Sequence, residues 1–297
     1  MLFNRLKQKK ETAMKKLIPP LIFALASLAL GAAPLSAAEQ CKTPFTAIVA
    51  FGDSYSDNGF ADGRGFKRYT ETLTWVEYLA QDLGLPLENR AWGGAMSNER
   101  NCNHADGVNW SGLAWQVEDY LKTLPPGQDI SKILFTVMVG SNDIWAGITD
   151  GSVTAQNIHQ ALATLAKAGA KHILYRETSA VLMSPGYLSG DYASYNEPWA
   201  KLVNDANAAT QKLLPGDLVK EFPGLMIYYQ PTDALFTKIK EGQDGFKFEI
   251  LDKPWWGTYT FPEPFKYLWY DEWHPSGQAH RLVADDALAG LKAALKK

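Results

Sequence analysis

The chain has 297 residues, 46% of them hydrophobic and only 21% charged, which is enough apolar material to bury a full core and excludes both intrinsic disorder and a small disulfide-stapled scaffold. Its formal charge is −3, but the first 38 residues hold six bases (Arg5, Lys7, Lys9, Lys10, Lys15, Lys16) against one acid, Glu11, so 23 bases and 31 acids remain beyond them, a net −8. Such an acidic body slows the approach of a polyanion, which argues against nucleic acid as a partner and favours neutral or cationic ligands.

Lys15 and Lys16 precede an apolar stretch, Leu17 to Leu30, and then Ser36-Ala37-Ala38, the small-residue pattern that a signal peptidase accepts. The stretch is about 14 residues and contains Pro19-Pro20, too short and too broken for a membrane span of roughly 20. Residues 1–38 therefore read as a bacterial signal peptide, with an N-terminal extension before Met14 if Met1 is the true start. Residues 39–297 are then one mature domain, periplasmic or secreted, without an integral membrane span. An uncleaved anchor helix is the alternative. The two cysteines, Cys41 and Cys102, lie beyond the cut, and an even count in an exported chain suggests one disulfide closing a loop of roughly 60 residues. Two free thiols are the other reading, because nothing in the sequence brings the two together.

Beyond the signal, apolar runs alternate with helical patterns, the mark of a parallel α/β sheet with covering helices. Thr46 to Phe51, Ile133 to Val139, Ile173 to Tyr175 and Leu225 to Tyr229 read as strands buried on both faces. Between them, Leu73, Val76, Leu79 and Leu83 form one helical stripe, Leu113, Val117, Tyr120 and Leu121 a second, and Ile158, Leu162 and Leu165 a third. Further helices are expected over Asn196 to Leu214 and Ser276 to Leu295. The segment Glu241 to Tyr270 is rich in Gly, Pro and aromatics without a helical period, and reads as a long ordered loop near a functional edge. The expected architecture is three-layer α/β/α with a mostly parallel central sheet.

The first strand runs into Gly52-Asp53-Ser54-Tyr55-Ser56-Asp57-Asn58-Gly59, which places a serine at the carboxyl end of a central strand, where open α/β sheets form their ligand crevices. A serine hydroxyl is inert at neutral pH unless a base takes its proton during attack. Asp271-Glu272-Trp273-His274 supplies a carboxylate and an imidazole three positions apart, so Asp271 can hold one ring nitrogen of His274 while the other faces Ser54. Two more segments offer donors where an oxyanion would form: Gly93-Gly94, through a closely approaching backbone N–H, and Gly140-Ser141-Asn142-Asp143, through the Asn142 amide. Singly, each of these is also an ordinary turn.

Together and in this order, the four blocks resemble those of the SGNH/GDSL hydrolase family: a GDS nucleophile block, a glycine block, a GxND block and a DxxH block, spanning about Phe45 to Gly277. The resemblance implies a flavodoxin-like fold and a serine hydrolase acting on ester bonds. In it Ser54 is the nucleophile, His274 the general base and then acid, and Asp271 its orienting carboxylate. The oxyanion hole is formed by the N–H groups of Ser54 and Gly94 and the side chain of Asn142. No metal or organic cofactor is implied. Tyr55 stands where the family name expects leucine, and the GDSxSDNG opening is similar to that of the bacterial secreted lipase and phospholipase branch.

Trp273 beside the base, Trp92 beside the glycine block and Trp145 after the Asn142 block are candidate substrate-binding residues. Aromatic walls hold acyl chains and attract quaternary ammonium groups. The expected substrates are short-to-medium acyl esters, with choline esters the cationic candidate. The alternative is a lysophospholipase or acyltransferase on lipid esters. Two rivals from other classes are a metallophosphoesterase, for which the clustered N and O donors are wanting, and a non-catalytic aromatic-lined binding protein, which would not require all four blocks.

Overall fold

In a computed structural model of the chain, residues 43–59, 68–104, 109–243, 247–256 and 263–296 are described. The signal-peptide reading and Cys41 lie outside them. Five parallel strands form the central sheet: β1 (Ala47–Gly52), β2 (Leu87–Asn89), β3 (Ile133–Met138), β4 (His172–Arg176) and β5 (Met226–Gln230), in the order β2-β1-β3-β4-β5. This is the flavodoxin-like order, in which the chain winds one way from β1 to β2 and the other way from β3 onward, and the crevice opens where the direction reverses, between β1 and β3.

Successive strand residues point to opposite faces, and both faces are covered, which is why the strands read as unbroken apolar runs. Ile48, Ala50, Leu134, Leu174 and Tyr228 pack on one side against α1 (Trp75–Leu83) and α8 (Gly277–Leu295). Val49, Phe51, Phe135, Val137, Ile173 and Tyr175 pack on the other against α2 (Leu113–Thr123) and α3 (Gly151–Lys167). Each fully buried Val, Leu, Ile or Phe side chain among them contributes about 1.5–3 kcal/mol relative to exposure. Helix ends follow local chemistry. At α1 the Glu77 carboxylate accepts from the backbone N–H of the N-cap Thr74 at 2.8 Å, and Gly84, at φ +63°, closes the far end. At α8 the Ser276 hydroxyl accepts from Ala279 N–H.

A smaller cluster sits above the carboxyl ends of the strands: Ile144 from a 3₁₀ turn after β3 (Ser141–Ala146), Val181 from another after β4 (Ser179–Met183), and Trp199, Leu202 and Val203 from α5 (Ala193–Lys212). Between the last two lies the short α4 (Pro185–Leu188); α6 (Val219–Glu221) and α7 (Asp233–Lys240) flank β5.

Three elements differ from the sequence expectation. β2 is only three residues long, Leu87–Asn89, and no apolar periodicity can register so short a strand. The expected loop Glu241 to Tyr270 contains β6 (Ile250–Pro254) and β7 (Tyr267–Trp269), a separate two-stranded sheet whose pairing is interrupted by a register shift, so no continuous alternation marks it. The helix expected from Asn196 starts earlier, at Ala193, and passes at Leu213 into a π-helical stretch, Leu213–Leu218, that accommodates Pro215 and Gly216.

Candidate active site

β1 ends at Gly52, whose φ of +148° and close approach to the Met138 carbonyl of β3 leave no room for a Cβ. Gln116 of α2 clamps this peptide, accepting from Gly52 N–H at 2.9 Å and donating to its carbonyl at 2.8 Å. The chain then turns, with the Asp53 carbonyl accepting from the N–H groups of Ser56 and Asp57, and Ser54 stands at the crest, only 9% exposed.

Ser54 Oγ lies 2.8 Å from His274 Nε2, and His274 Nδ1 lies 2.8 Å from both oxygens of Asp271. Because an ionised carboxylate only accepts, Nδ1 carries the proton, which leaves Nε2 as an acceptor and Ser54 Oγ as the donor. Asp271 Oδ1 also accepts from the backbone N–H groups of Trp273 and His274, each at 2.8 Å. Burial works to raise the Asp271 pKa, but the hydrogen bond and charge of His274, with the two backbone donors, outweigh it and hold the carboxyl below its ordinary value. The carboxylate that fixes the imidazole is thus ionised across the neutral range. The Tyr69 ring lies against the imidazole, centroids 4.5 Å apart. Tyr55 donates from its hydroxyl to the Trp273 carbonyl at 2.8 Å, tying the nucleophile turn to the turn that carries the base.

The glycine block is pinned from several sides. Gly93 N–H donates to Asp57 Oδ2 at 2.7 Å, the Gly93 carbonyl accepts from Asn101 Nδ2 at 2.8 Å, and the Gly94 carbonyl accepts from Cys102 N–H at 2.9 Å. Gly94 has φ +80°, and a Cβ there would sit 2.5 Å from Asn101 Oδ1, so only glycine suits the position. The Asn142 amide donates one hydrogen to the Ala95 carbonyl at 3.1 Å. Next to it, buried Asp143 accepts from Ser97 N–H, Ser97 Oγ and Thr154 Oγ1 at 2.9, 2.6 and 2.6 Å, which locks the GxND turn to the segment after the glycine block.

Asp53 stabilises the turn, accepting from Tyr55 N–H at 3.1 Å. Its other oxygen, Oδ2, is buried and has no hydrogen-bond partner among the described residues. Burial is the main cause that pushes this carboxyl from 3.8 up to about 7.

Ser54, Gly94, Asn142 and His274 line one cavity of about 450 Å³, and Trp145 and Trp273 form part of its wall. Trp92 is not among the lining residues; it packs edge to face on Trp110 and Trp115, in a separate aromatic group. The remaining wall, including Tyr192 and Trp199, escaped sequence reasoning because Trp199 sits on a helical face and reads as core there. The rings pack on one another, with centroids 5.0 Å apart for Trp145 and Trp199, 5.0 Å for Trp199 and Trp273, and 5.2 Å for Tyr192 and Trp273. Cys102 also lines the cavity as a free thiol, its pKa pushed up to about 12 mainly by burial. Its expected disulfide partner lies outside the described residues. Among the described residues, no group of three or more His, Cys, Asp and Glu side chains is placed to hold a metal ion, and no helix is long and apolar enough to cross a membrane.

A relative named thermolabile hemolysin, from Vibrio parahaemolyticus, is 22% identical over 271 residues, covering 81% of this chain. The chain spans only 62% of that protein's length. Among solved structures, the chain is similar to a member of the lipolytic G-D-S-L family from Veillonella parvula (17% identity, TM-score 0.47, 82% of this chain and 97% of that one). A carbohydrate acetylesterase family member from Sinorhizobium meliloti is comparable (17% identity, TM-score 0.46, 85% of this chain and 100% of that one). The sequence model of the GDSL-like lipase/acylhydrolase family matches residues 48–287, a range that holds all four blocks assembled at the cavity. The chain belongs to the GDSL-like lipases and acylhydrolases, a family of ester-cleaving enzymes.

Proposed function

We propose that the protein is an exported serine esterase that cleaves carboxylic esters through an acyl-enzyme on Ser54, with residues 1–38 as its signal peptide and 39–297 as the mature enzyme. The observation that carries this reading is the unbroken chain of 2.8 Å contacts from Ser54 Oγ through His274 to Asp271, opening into a cavity. As Ser54 Oγ bonds to the ester carbon, its proton passes to His274 Nε2 and the carbonyl oxygen takes negative charge. The N–H groups of Ser54 and Gly94 and the second amide hydrogen of Asn142 receive that charge; each such donor typically contributes about 10²- to 10³-fold in rate. The C–O bond to the alcohol then breaks, and the alcohol leaves with the proton from His274. Water, deprotonated by the same nitrogen, attacks the acyl carbon, and the acid departs with Ser54 restored.

Short-to-medium acyl esters suit a cavity of about 450 Å³. Choline esters are the finer proposal: tryptophan faces attract a quaternary ammonium by about 0.5–2 kcal/mol per contact, and the mature chain is net acidic. Support for it comes from the mutually packed Trp145, Trp199 and Trp273, which line the cavity. The lipid-ester alternative draws support from the family description, which names lipases.

Two experiments test the reading. A fluorophosphonate probe is expected to label the wild type and not Ser54→Ala. Ester turnover by Ser54→Ala is expected to fall by about 10⁴-fold or more with its melting temperature retained, and turnover by the wild type is expected to survive a chelator. Near-normal turnover by Ser54→Ala overturns the proposal. Rates on choline, p-nitrophenyl and lysophosphatidylcholine esters then separate the substrate classes.

A further inference from the structure

Trp273 is held by its backbone on both sides: its N–H donates to Asp271 Oδ1 and its carbonyl accepts from Tyr55 Oη, each at 2.8 Å. The indole therefore cannot relocate by moving its main chain without disturbing the turn that carries His274. Behind the ring lies Gly186, a buried residue in α4 whose own N–H donates to the Glu272 carbonyl at 2.7 Å, so its backbone is fixed against the same turn. A Cβ built on Gly186 falls 2.5, 2.6 and 2.7 Å from Cζ2, Cε2 and Cη2 of Trp273. Carbon atoms in contact prefer about 3.5–4.0 Å, so the ring would have to retreat by about 1 Å. Gly186 does not line the cavity, whereas Trp273 and the rings it touches, Trp145, Tyr192 and Trp199, all do. The indole thus meets Gly186 with one part of its surface and the cavity with another.

We infer that Gly186 is a specificity-determining residue: by lacking a Cβ it lets the Trp273 indole sit back, and so sets how large an ester group the cavity admits. This rests on the Ser54 reading of the site. Its backbone needs no left-handed conformation, so the absent side chain is explained by the packed ring and not by a turn. A displacement of this size compares with adding a methylene to a tight apolar pocket, a change that typically discriminates substrates by about 10- to 200-fold.

The test uses the mature enzyme and p-nitrophenyl and choline esters of increasing acyl length, scored as the ratio of kcat/KM for the bulkiest accepted ester to that for the smallest. Gly186→Ala is expected to lower this ratio about tenfold or more, mainly through the bulky ester. Trp273→Phe removes the benzo ring that Gly186 packs against and is expected to raise the ratio. In the double variant Gly186→Ala/Trp273→Phe the alanine is expected to lower it by no more than about twofold relative to Trp273→Phe alone. The inference is overturned if Gly186→Ala lowers the ratio by less than tenfold, or if the alanine acts equally with and without the indole. Should Gly186→Ala fail to fold, Trp273→Phe decides: an unchanged or lowered ratio overturns the inference. Turnover retained by Ser54→Ala would instead remove the catalytic reading and the inference with it.

Discussion

Asp271→Asn isolates what the carboxylate does for His274. Asp271 Oδ1 accepts from two backbone N–H groups, those of Trp273 and His274, so an asparagine amide oxygen takes that place and keeps the turn. Its NH₂ then falls where Oδ2 was, 2.8 Å from His274 Nδ1. The amide oxygen, also 2.8 Å from Nδ1, is uncharged and already shared by two backbone donors, so the NH₂ competes for the Nδ1 lone pair and favours the tautomer with the proton on Nε2, the nitrogen 2.8 Å from Ser54 Oγ. That nitrogen can no longer accept the serine proton. In a serine–histidine–aspartate array, this tautomer error typically costs roughly 10⁴ in kcat, about 5 kcal/mol of transition-state stabilisation. KM is expected to change little, because Asp271 is not among the residues lining the cavity. Steady-state kinetics on a p-nitrophenyl ester, with circular dichroism and a thermal melt to establish folding, measure this directly. A folded Asp271→Asn enzyme with kcat reduced less than about tenfold would refute the proposed relay.

Asn142→Ala is expected to lower kcat by about 10²- to 10³-fold, roughly 3–4 kcal/mol, since it removes an oxyanion donor; an equal rise in KM with kcat intact would instead mark a ground-state contact. Asp53→Asn is a stability prediction with a definite pH window. A carboxyl at 3.8 in the unfolded chain and about 7 when folded gives stability that is complete below about pH 4 and is lost as pH rises through about 7. The loss has a ceiling of about 4 kcal/mol. The amide oxygen can still accept from Tyr55 N–H, so denaturant titrations from pH 4 to 8 should show the variant's stability falling less with pH than the wild type's, and parallel curves would contradict the burial argument. Trp273→Ala should weaken a choline ester by about 2- to 30-fold more than its uncharged 3,3-dimethylbutyl isostere, measured as kcat/KM; equal losses would remove the ammonium-binding proposal.

The central strands were legible because a parallel sheet covered on both faces leaves continuous apolar runs, as in Ile133–Met138. Three of the blocks that meet at the cavity were legible for a related reason: they lie after the ends of β1, β2 and β3, and parallel strands bring those ends to one edge, whereas the block with His274 follows β7 of the separate sheet. What stayed hidden depends on distant partners. Nothing around Gln116 announces that its amide clamps Gly52, 64 positions away. Asn101 looks like a loop asparagine until its side chain is seen holding the Gly93 carbonyl. Trp92 stands closer to a block in sequence than Trp145 does, yet of the two only Trp145 lines the cavity, because Trp110 and Trp115 draw Trp92 into a separate cluster. Gly186 carries no local signal at all, since its role is set by a ring 87 positions along the chain.

The covalent step is tested most directly by rapidly quenching the enzyme during turnover of a p-nitrophenyl ester and mapping the trapped acyl group by peptide mass spectrometry. Acylation through Ser54 predicts a mass increment on that residue, absent from Ser54→Ala and accumulating in step with a burst of p-nitrophenol. A burst accompanied by acylation of a different residue, or turnover from an enzyme that never carries an acyl group, would contradict it.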